Sequence, residues 1–375
     1  MTEVELRDVS KRYGHKFVLE SVCSQFEKGR FSLVLGPAAS GKSVLMRLIM
    51  GLEAPVSGEV WLRGKNITRE TAGARNFGYV PQSFALYPHY RVFDNIAYPL
   101  LLAKETRAGV RDRVELLARK LRIDRLLDKY PNQLSGGEKQ RVALARGMIK
   151  DSSVFILDDP LAGLDFKLRE QLFVDLRDML GEVEGTFICT TSDPLEAQAL
   201  ADDVYVLDDH RIIENGTLDR VYDAPMTLRS LQLLGYPAAN VIPGEMQATI
   251  CRSPLGEFEV ELQDSSSDSK KIQVGFRPEA VEFGLAISSS ALVTEARALL
   301  REDLGAETLL YFEAASCRFI GYWSNGSTPP ISSDRFKIGI EHSDLLVFDG
   351  QSGRRIGRGA KSARTKKASE GSSVS

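Results

Sequence analysis

The sequence predicts an α/β domain with a helical insertion, followed by a smaller all-β domain. Its 375 residues are too many for one typical domain and suit two. From residue 1 to about 235, short apolar runs alternate with helical patterns, as in a largely parallel sheet flanked by helices. After Pro237, β-prone runs are separated by Gly, Ser and Pro clusters, which favours an all-β domain.

Within the first domain, apolar runs predict buried strands at 31–35, 154–157 and 186–189. One apolar helical face, at the spacing i, i+3, i+4 and i+7, places a helical insertion at about 84–148 and consists of Val114, Leu117, Ala118 and Leu121. Runs at 204–207 and 211–213, separated by Asp208-Asp209-His210, predict a terminal hairpin. A helical stretch then closes the domain at about residue 235.

The second domain, 236–350, has β-prone runs at 258–262, 272–276, 308–312 and 336–340, which predict a small OB-like β-barrel. The last segment, 351–375, contains seven Lys or Arg, one Glu and many Ser and Gly. This composition predicts a disordered basic tail. A tail that touches acidic phospholipid or nucleic acid is the alternative, but the charge is diffuse and favours a solvated segment.

Composition excludes several classes of protein. No apolar run approaches the roughly 18 residues of a transmembrane helix, and the first eleven residues are too charged for a signal peptide, so we expect a cytoplasmic chain. A net charge of -3 gives no global case for nucleic-acid binding. The four cysteines form no Cys-x-x-Cys pair, which predicts reduced packing residues and neither a zinc site nor a disulfide framework.

A phosphate-binding loop lies between a predicted buried strand and the helical pattern 44–50. It matches G-x-x-x-x-G-K-S/T and consists of Gly36, Pro37, Ala38, Ala39, Ser40, Gly41, Lys42 and Ser43. Glycines let backbone N–H groups wrap phosphate, and the following helix offers its positive end. Lys42 can reach the β- and γ-phosphates, and Ser43 can ligate Mg²⁺. The first domain is therefore predicted to be a P-loop (RecA-like) domain that binds ATP and Mg²⁺.

A second element completes the predicted metal site. The apolar run 154–157 ends in Asp158, which would bring a carboxylate to Mg²⁺ beside the phosphates without burying an unpaired charge. Alone, this pattern is common in buried strands. Behind a phosphate loop, it predicts a magnesium ligand.

The run Leu134-Ser135-Gly136-Gly137-Glu138-Lys139-Gln140-Arg141 resembles the signature motif of ABC-transporter ATPases. The resemblance implies three further roles. Tyr13 would stack on adenine, and Asp165, after Leu164, would face a partner subunit. Gln82 would join Ser43 and Asp158 at the Mg²⁺ site, link that site to membrane subunits and take part in catalysis.

In this family two cassettes dock head to tail, and each ATP lies between the phosphate loop of one subunit and the signature of the other. The resemblance implies that Ser135, Gly136, Gly137 and Glu138 act in trans on the partner's ATP. A small hydroxyl and exposed backbone N–H groups at a helix start suit close approach to a γ-phosphate.

Three positions depart from the family pattern. Asp159 stands where the family has the glutamate that positions or deprotonates the attacking water, and its carboxylate is drawn back by about 1.5 Å. Ser192 replaces the histidine that contacts the γ-phosphate, and Val44 replaces a hydroxyl beside the Mg²⁺-binding residue. We expect ATP binding to survive and turnover at this chain's own site to be slow or absent.

These departures favour a heterodimer, in which the signature of this chain completes the ATP site of a second, different ABC ATPase. An active homodimer that tolerates Asp159 and Ser192 is the alternative. A DNA-repair or translation ATPase fits poorly, because such proteins usually add zinc modules, coiled coils or a second cassette.

The second domain resembles the TOBE-like regulatory β-barrel of carbohydrate and polyol importers, through runs at 275–279, 304–308 and 339–348. The resemblance implies a peripheral subunit on the cytoplasmic face of the inner membrane, working with two integral permease subunits and, indirectly, an extracytoplasmic solute-binding protein. The segment 84–90 would border the permease docking cleft. Sugars, polyols or glycerol-type solutes are favoured over polyamine, iron or sulfate. A non-hydrolysing regulatory protein remains the rival function.

Overall fold

The computed structural model describes residues 1–162, 169, 177, 181, 183–263, 271–284, 287, 291–305, 307–323 and 335–360. The chain divides into two compact units, Met1–Arg220 and Val221–Ser375. This boundary precedes the one expected at residue 235. The helix α8 (Leu228–Leu233) explains the shift, because its Leu231 packs with Leu346 and Phe348 of the β-rich unit.

The first unit contains a six-stranded sheet in the order β10-β9-β3-β8-β7-β6. The strands β6, β7, β8, β3 and β9 run parallel, and β10 pairs antiparallel with β9 as the predicted hairpin. The three predicted buried strands are confirmed as β3, β7 and β8. The strand bounds are Phe31–Leu35 (β3), Gly78–Val80 (β6), Val154–Asp158 (β7), Thr186–Thr191 (β8), Asp203–Asp208 (β9) and Arg211–Thr217 (β10).

An antiparallel sheet in the order β2-β1-β4-β5 accompanies the parallel one, and the sequence did not predict it. Its strands are Thr2–Tyr13 (β1), Lys16–Glu27 (β2), Ser57–Leu62 (β4) and Lys65–Asn66 (β5). Leu6 and Phe26 from this sheet share one hydrophobic core with Leu45 of the helix α1 (Lys42–Met50) and Ile188 of the parallel sheet. The helix that follows the phosphate loop is therefore anchored by apolar packing that includes residues of both sheets.

The helical insertion is confirmed. Thr106 caps the N-terminus of α4, whose buried residues include Val114, Leu117 and Ala118 of the predicted apolar face. Among the described residues, the α-helices up to the boundary between the two units are Lys42–Met50 (α1), Ala72–Arg75 (α2), Val92–Leu102 (α3), Arg107–Lys120 (α4), Gly136–Met148 (α5), Pro194–Leu200 (α6) and Leu218–Asp223 (α7). Among the described residues, no helix is long and apolar enough to cross a membrane.

The second unit is all-β apart from short helices, and it is more elaborate than the single barrel that the sequence predicted. A closed barrel in the order β11-β12-β13-β21-β20-β14 accompanies a five-stranded sheet in the order β15-β19-β16-β17-β18. Phe258 and Val274 of the barrel share one core with Phe312 and Ile338 of the sheet. In the described part of this unit, eleven strands form the barrel and the sheet, and each contributes one face to the same core.

The strands of this unit are Asn240–Gln247 (β11), Ile250–Ser253 (β12), Gly256–Leu262 (β13), Lys271–Phe276 (β14), Val281–Phe283 (β15), Ala291–Asp303 (β16), Thr308–Ala314 (β17), Cys317–Trp323 (β18), Arg335–Glu341 (β19), Leu346–Asp349 (β20) and Arg355–Gly359 (β21).

The prediction that a disordered tail begins at residue 351 is wrong, because residues after 351 form a strand. The strand β21 lies inside the predicted tail and pairs with β13 and β20. Four of its five residues are Arg or Gly, with Ile356 as the one apolar side chain, so its composition does not resemble that of a strand. Gly359 is required there, since a Cβ would meet the main chain of His342. Residues 361–375 lie outside the described part of the chain.

Candidate nucleotide site

The phosphate loop contains left-handed backbone at two positions. Gly41, the N-cap of α1, has φ 106°, and a Cβ there would lie 2.9 Å from the Val18 carbonyl oxygen. Ala39 has φ 64°, a conformation that costs a residue with a Cβ about 1–2 kcal/mol. The folded loop therefore holds Ala39 in a backbone conformation that alanine disfavours.

Lys42 is held inside this loop. Its Nζ donates to the carbonyl oxygens of Gly36 at 2.7 Å and Pro37 at 2.9 Å. Burial lowers the pKa of the Lys42 ammonium, while the carboxylates of Asp159 and Asp158 raise it. The ammonium thus lies where phosphate oxygens would be cradled, with two carboxylates as its charged neighbours.

Ser40 provides an independent test of whether the loop fits a phosphate. Its Oγ is buried and has no hydrogen-bond partner among the described residues. A buried hydroxyl without a partner costs about 1–3 kcal/mol. A phosphate oxygen is an acceptor that would satisfy it, so the loop fits the triphosphate of ATP.

Asp158 joins the phosphate loop to the end of β7. Its Oδ1 accepts from Ser43 Oγ at 2.9 Å and from Thr190 Oγ1 at 2.9 Å. Strand register explains the second bond, because Asp158 pairs with Thr190 across β7 and β8. The serine and carboxylate oxygens side by side are the hard donors that Mg²⁺ prefers. Thr190 was not predicted, although it is the penultimate residue of the buried strand that precedes Ser192.

Asp159 follows Asp158 with φ 49°, in the left-handed region. Its backbone N–H donates to Thr190 Oγ1 at 2.9 Å, which fixes the turn. Burial raises the pKa of the Asp159 carboxyl, Lys42 lowers it, and Asp158 raises it again. The residue in the place of the catalytic glutamate is therefore a short carboxylate in strained backbone.

Ser192 lies immediately after β8, at the carboxyl edge of the parallel sheet, and its side chain is exposed. The neighbouring Asp193 caps α6 by accepting from the Leu195 N–H at 2.9 Å and forms an ion pair with Arg169 at 2.8 Å. One turn further, Glu196 is 2% exposed. Burial raises the pKa of the Glu196 carboxyl to about 7, although a hydrogen bond to Thr191 lowers it.

Gln82 is exposed and follows β6, whose Val80 pairs with Leu157 of β7. This register places Gln82 at the same sheet edge as Asp158. The adjoining segment is fixed by Arg146 of α5, which donates to the carbonyl oxygens of Phe84 and Ala85 at 2.7 and 2.5 Å.

Tyr13 ends β1 and is 49% exposed. Its hydroxyl donates to Glu53 Oε2 at 2.6 Å. An exposed ring with a tethered hydroxyl suits stacking on a flat base.

The predicted signature segment forms a regular helix start. Ser135 caps α5, with the Glu138 N–H donating to Ser135 Oγ at 3.3 Å and the Ser135 N–H donating to Glu138 Oε2 at 2.8 Å. Ser135 is exposed, Gly136 is half-buried and Gly137 is buried. Among the described residues, Ser135–Glu138 share no hydrogen bond with the phosphate loop of the same chain.

The two remaining predicted positions are Val44 and Asp165. Val44 was expected near the phosphates, but its side chain is 8% exposed and packs in the hydrophobic core, so a phosphate contact through that side chain is excluded. Its apolar character suits this core position. Asp165 lies outside the described residues.

Comparison with known proteins agrees with this geometry. The family model described as ABC transporter matches residues 19–162. The sn-glycerol-3-phosphate import ATP-binding protein UgpC of Cereibacter sphaeroides is 33% identical over 360 residues, covering 95% of this chain and 100% of the relative. The maltose/maltodextrin import ATP-binding protein MalK of Shigella flexneri is 32% identical over 372 residues, covering 95% of this chain and 98% of the relative.

A solved structure is also similar, namely the dimeric post-hydrolysis state of the ATP-binding cassette MJ0796 bound to ADP and Pi. It is 27% identical with a TM-score of 0.51, covering 57% of this chain and 98% of that one. Sequence coverage of the import proteins extends through the β-rich unit as well as the P-loop unit. The chain belongs to the ABC-transporter ATPases, as an ATP-binding subunit of the importer type with a C-terminal β-barrel unit.

Proposed function

We propose that this chain is the less active partner of an asymmetric ATPase pair in an importer. Its signature turn, Ser135 to Glu138, completes an ATP site whose phosphate loop and catalytic glutamate belong to a different ABC ATPase. Its own phosphate loop binds ATP with Mg²⁺ and holds the pair closed, with little turnover.

One contrast within the chain carries this proposal. The signature turn has both reciprocal bonds of a capping box and an exposed serine. At the chain's own site, the residue after Asp158 is a short carboxylate with φ 49°, and Ser192 cannot carry a proton as an imidazolium does. Loss of a general base typically costs about 10² to 10⁴ in rate.

The residues that would bind ATP are retained in the same site, which supports a site that binds ATP without hydrolysing it over one that has lost ATP binding. Lys42 would contact the β- and γ-phosphates, the α1 N-terminus and loop amides would surround them, and Tyr13 would stack on adenine. Ser43 and Asp158 would hold Mg²⁺, with Gln82 at the neighbouring strand end. The bound Mg²⁺ would neutralise phosphate charge.

The working complex would contain two integral permeases and, outside the membrane, a solute-binding protein. The segment 84–90 would contact a permease, with the chain peripheral on the cytoplasmic face. Two relatives of nearly equal identity have names with different solutes, glycerol-3-phosphate and maltose. A sugar, polyol or glycerol-type solute is the class we propose for this chain.

The test uses the full chain, purified alone and then with the candidate partner ATPase and permeases. Alone, it should bind Mg²⁺-ATP in calorimetry and hydrolyse it at least about 100-fold more slowly than the assembled complex. Robust turnover by the chain alone, without a partner, would contradict the asymmetric pair and favour an active homodimer. ATP binding without any association with membrane subunits would favour a nucleotide-dependent regulatory protein.

A further inference from the structure

One carboxylate ties the exposed tyrosine of the nucleotide site to the helix of the phosphate loop. Glu53 lies just beyond Gly51, the C-cap of α1. Its Oε2 accepts from the Tyr13 hydroxyl at 2.6 Å and lies 3.0 Å from Lys11 Nζ. Its Oε1 accepts from Arg47 Nε at 2.7 Å. Three donors from two elements therefore converge on one side chain.

The elements joined by this carboxylate serve different parts of a nucleotide. Tyr13 and Lys11 come from the end of β1, on the side where a base would stack. Arg47 projects from α1, whose N-terminus forms the phosphate cradle. Lys11 is further fixed by donating to the Ala54 carbonyl oxygen at 2.9 Å. Glu53 thus links Tyr13 to the helix that follows the phosphate loop.

The charge of Glu53 makes this junction persistent. Its side chain is 23% exposed, and burial alone would raise the pKa of the carboxyl. Hydrogen bonds from Tyr13, Lys11 and Arg47 outweigh that cost and lower the pKa of Glu53 to about 2. Hydrogen bonds to a charged acceptor are roughly twice as strong as neutral ones. Glu53 is therefore an ionised acceptor for the tyrosine hydroxyl near neutral pH.

Fixing the hydroxyl has a consequence for ligand binding. Tyr13 is 49% exposed, and Lys11 Nζ lies 5.3 Å from the centroid of its ring. A free aromatic side chain must be immobilised when a base stacks on it, which costs about 2- to 10-fold in affinity. A ring already tethered at its outer end avoids most of that cost.

We propose that Glu53 is the positioning residue for base recognition, holding the Tyr13 ring in its stacking orientation and at a fixed place relative to the phosphate-binding helix. This inference rests on the proposed ATP-binding function of the site. It assigns to Glu53 a selectivity for nucleotides over simple polyphosphates, since the latter bind through the loop alone.

Two ligands separate this role from a general structural one. ATP would contact both ring and loop, whereas inorganic tripolyphosphate contacts only the loop. The measurement is calorimetric titration of the full chain with each ligand in the presence of Mg²⁺. Glu53→Gln and Tyr13→Phe should each weaken ATP binding about 3- to 10-fold and leave tripolyphosphate binding unchanged. The double variant should lose no more than about the larger single effect, because both changes break the same bond.

A matched control is Glu70→Gln, which removes the surface ion pair with Lys65 at 2.7 Å from a carboxylate that is 30% exposed. It should bind both ligands like the unaltered chain. Equal weakening of ATP and tripolyphosphate by Glu53→Gln would overturn the proposal, because it would show that Glu53 only stabilises α1.

Tyr13→Ala distinguishes failure of this inference from failure of the proposed function. If Tyr13→Ala weakens ATP binding but Glu53→Gln and Tyr13→Phe do not, the ring stacks on the base without help from Glu53, and the inference is wrong. If Tyr13→Ala leaves ATP binding intact while Lys42→Ala removes it, the base contact and the inference fail, but the proposed ATP site stands. If Lys42→Ala also leaves ATP binding intact, the proposed function itself fails.

Discussion

The signature turn and the carboxyl edge of the parallel sheet are built under different constraints. The signature turn satisfies its own backbone within four residues, through the reciprocal bonds of Ser135 and Glu138. The sheet edge depends on residues far apart in sequence, such as Ser43, Asp158 and Thr190, and it contains the left-handed Asp159. The signature turn, which we propose to act on another subunit, can thus form by local interactions, whereas the sheet edge combines left-handed backbone at Asp159 with buried carboxylates.

The largest effect should come from blocking the signature. In the assembled complex, Ser135→Arg places a long cation where close approach to a γ-phosphate is needed and should reduce turnover about 10²- to 10³-fold. Asp159→Asn should reduce it less than about 3-fold, because the site that contains Asp159 is proposed to contribute little. Steady-state ATPase rates of the two complexes make the comparison. Equal losses would show that both sites contribute alike.

Glu196 offers a test of the buried charge at the sheet edge. Its pKa is raised to about 7, so the folded chain binds this proton more tightly than the unfolded chain does. Stability therefore falls as pH rises from about 4.5 to 7, and the full penalty persists above 7. Glu196→Gln should raise the free energy of unfolding by about 3 kcal/mol at pH 8 and by less than about 1 kcal/mol at pH 5.

Urea unfolding at the two pH values checks the Glu196 prediction. The matched variant is Glu138→Gln in the signature turn, because glutamine also completes a capping box and should change stability by less than about 0.5 kcal/mol. A gain that does not depend on pH would show that Glu196 stays ionised in the folded chain.

Restoring the family residues should narrow the difference between the two regions. Asp159→Glu combined with Ser192→His should raise ATP turnover of the chain alone by at least about 10-fold, since a longer carboxylate and an imidazole return to the water and the γ-phosphate. Initial-rate measurements of phosphate release provide the readout. The same pair with Lys42→Ala should show no gain, and a gain that survives Lys42→Ala would place the activity elsewhere.

The smallest expected effect concerns strain in the phosphate loop. Ala39 is exposed with φ 64°, so Ala39→Gly should increase the free energy of unfolding by about 1 kcal/mol. Ala38 is also exposed but is absent from the left-handed region, and Ala38→Gly should give no gain. Thermal unfolding of the two variants is the comparison. Equal shifts would argue that the loop is unstrained at Ala39.

Short sequence patterns predicted those elements whose structure depends on neighbouring residues. The phosphate loop, the strand ending at Asp158 and the helix start at Ser135 are each specified by neighbouring residues. The antiparallel sheet escaped prediction because β1 pairs with both its neighbour β2 and the later strand β4. Such pairing depends on partners that no short pattern reveals.

The second unit was underestimated for the same reason. Its β-prone runs were recognised, but their division between a barrel and a sheet depends on long-range register.

Several site residues were missed because their signals are weak in a single sequence. Thr190 and Glu196 are ordinary residue types whose roles come from burial beside Asp158 and Thr191. Glu53 forms its junction across forty residues of chain to Tyr13. Ala39 gave no sign of left-handed backbone, since alanine rarely adopts it. The phosphate-binding and magnesium-binding residues could be predicted from the sequence, but the residues that hold them in place could not.

The placement of β21 between β13 and β20 sets the order in which the molecule can be assembled during translation. The P-loop unit has all its strands once the ribosome has passed Thr217. The barrel must wait for Gly359, and until then the facing edges of β13 and β20 have unpaired main-chain groups. A nascent chain therefore passes through a stage in which the P-loop strands are all synthesised but the β unit still has unpaired strand edges. Such edges can pair with other chains, so a chaperone would be most useful at this stage.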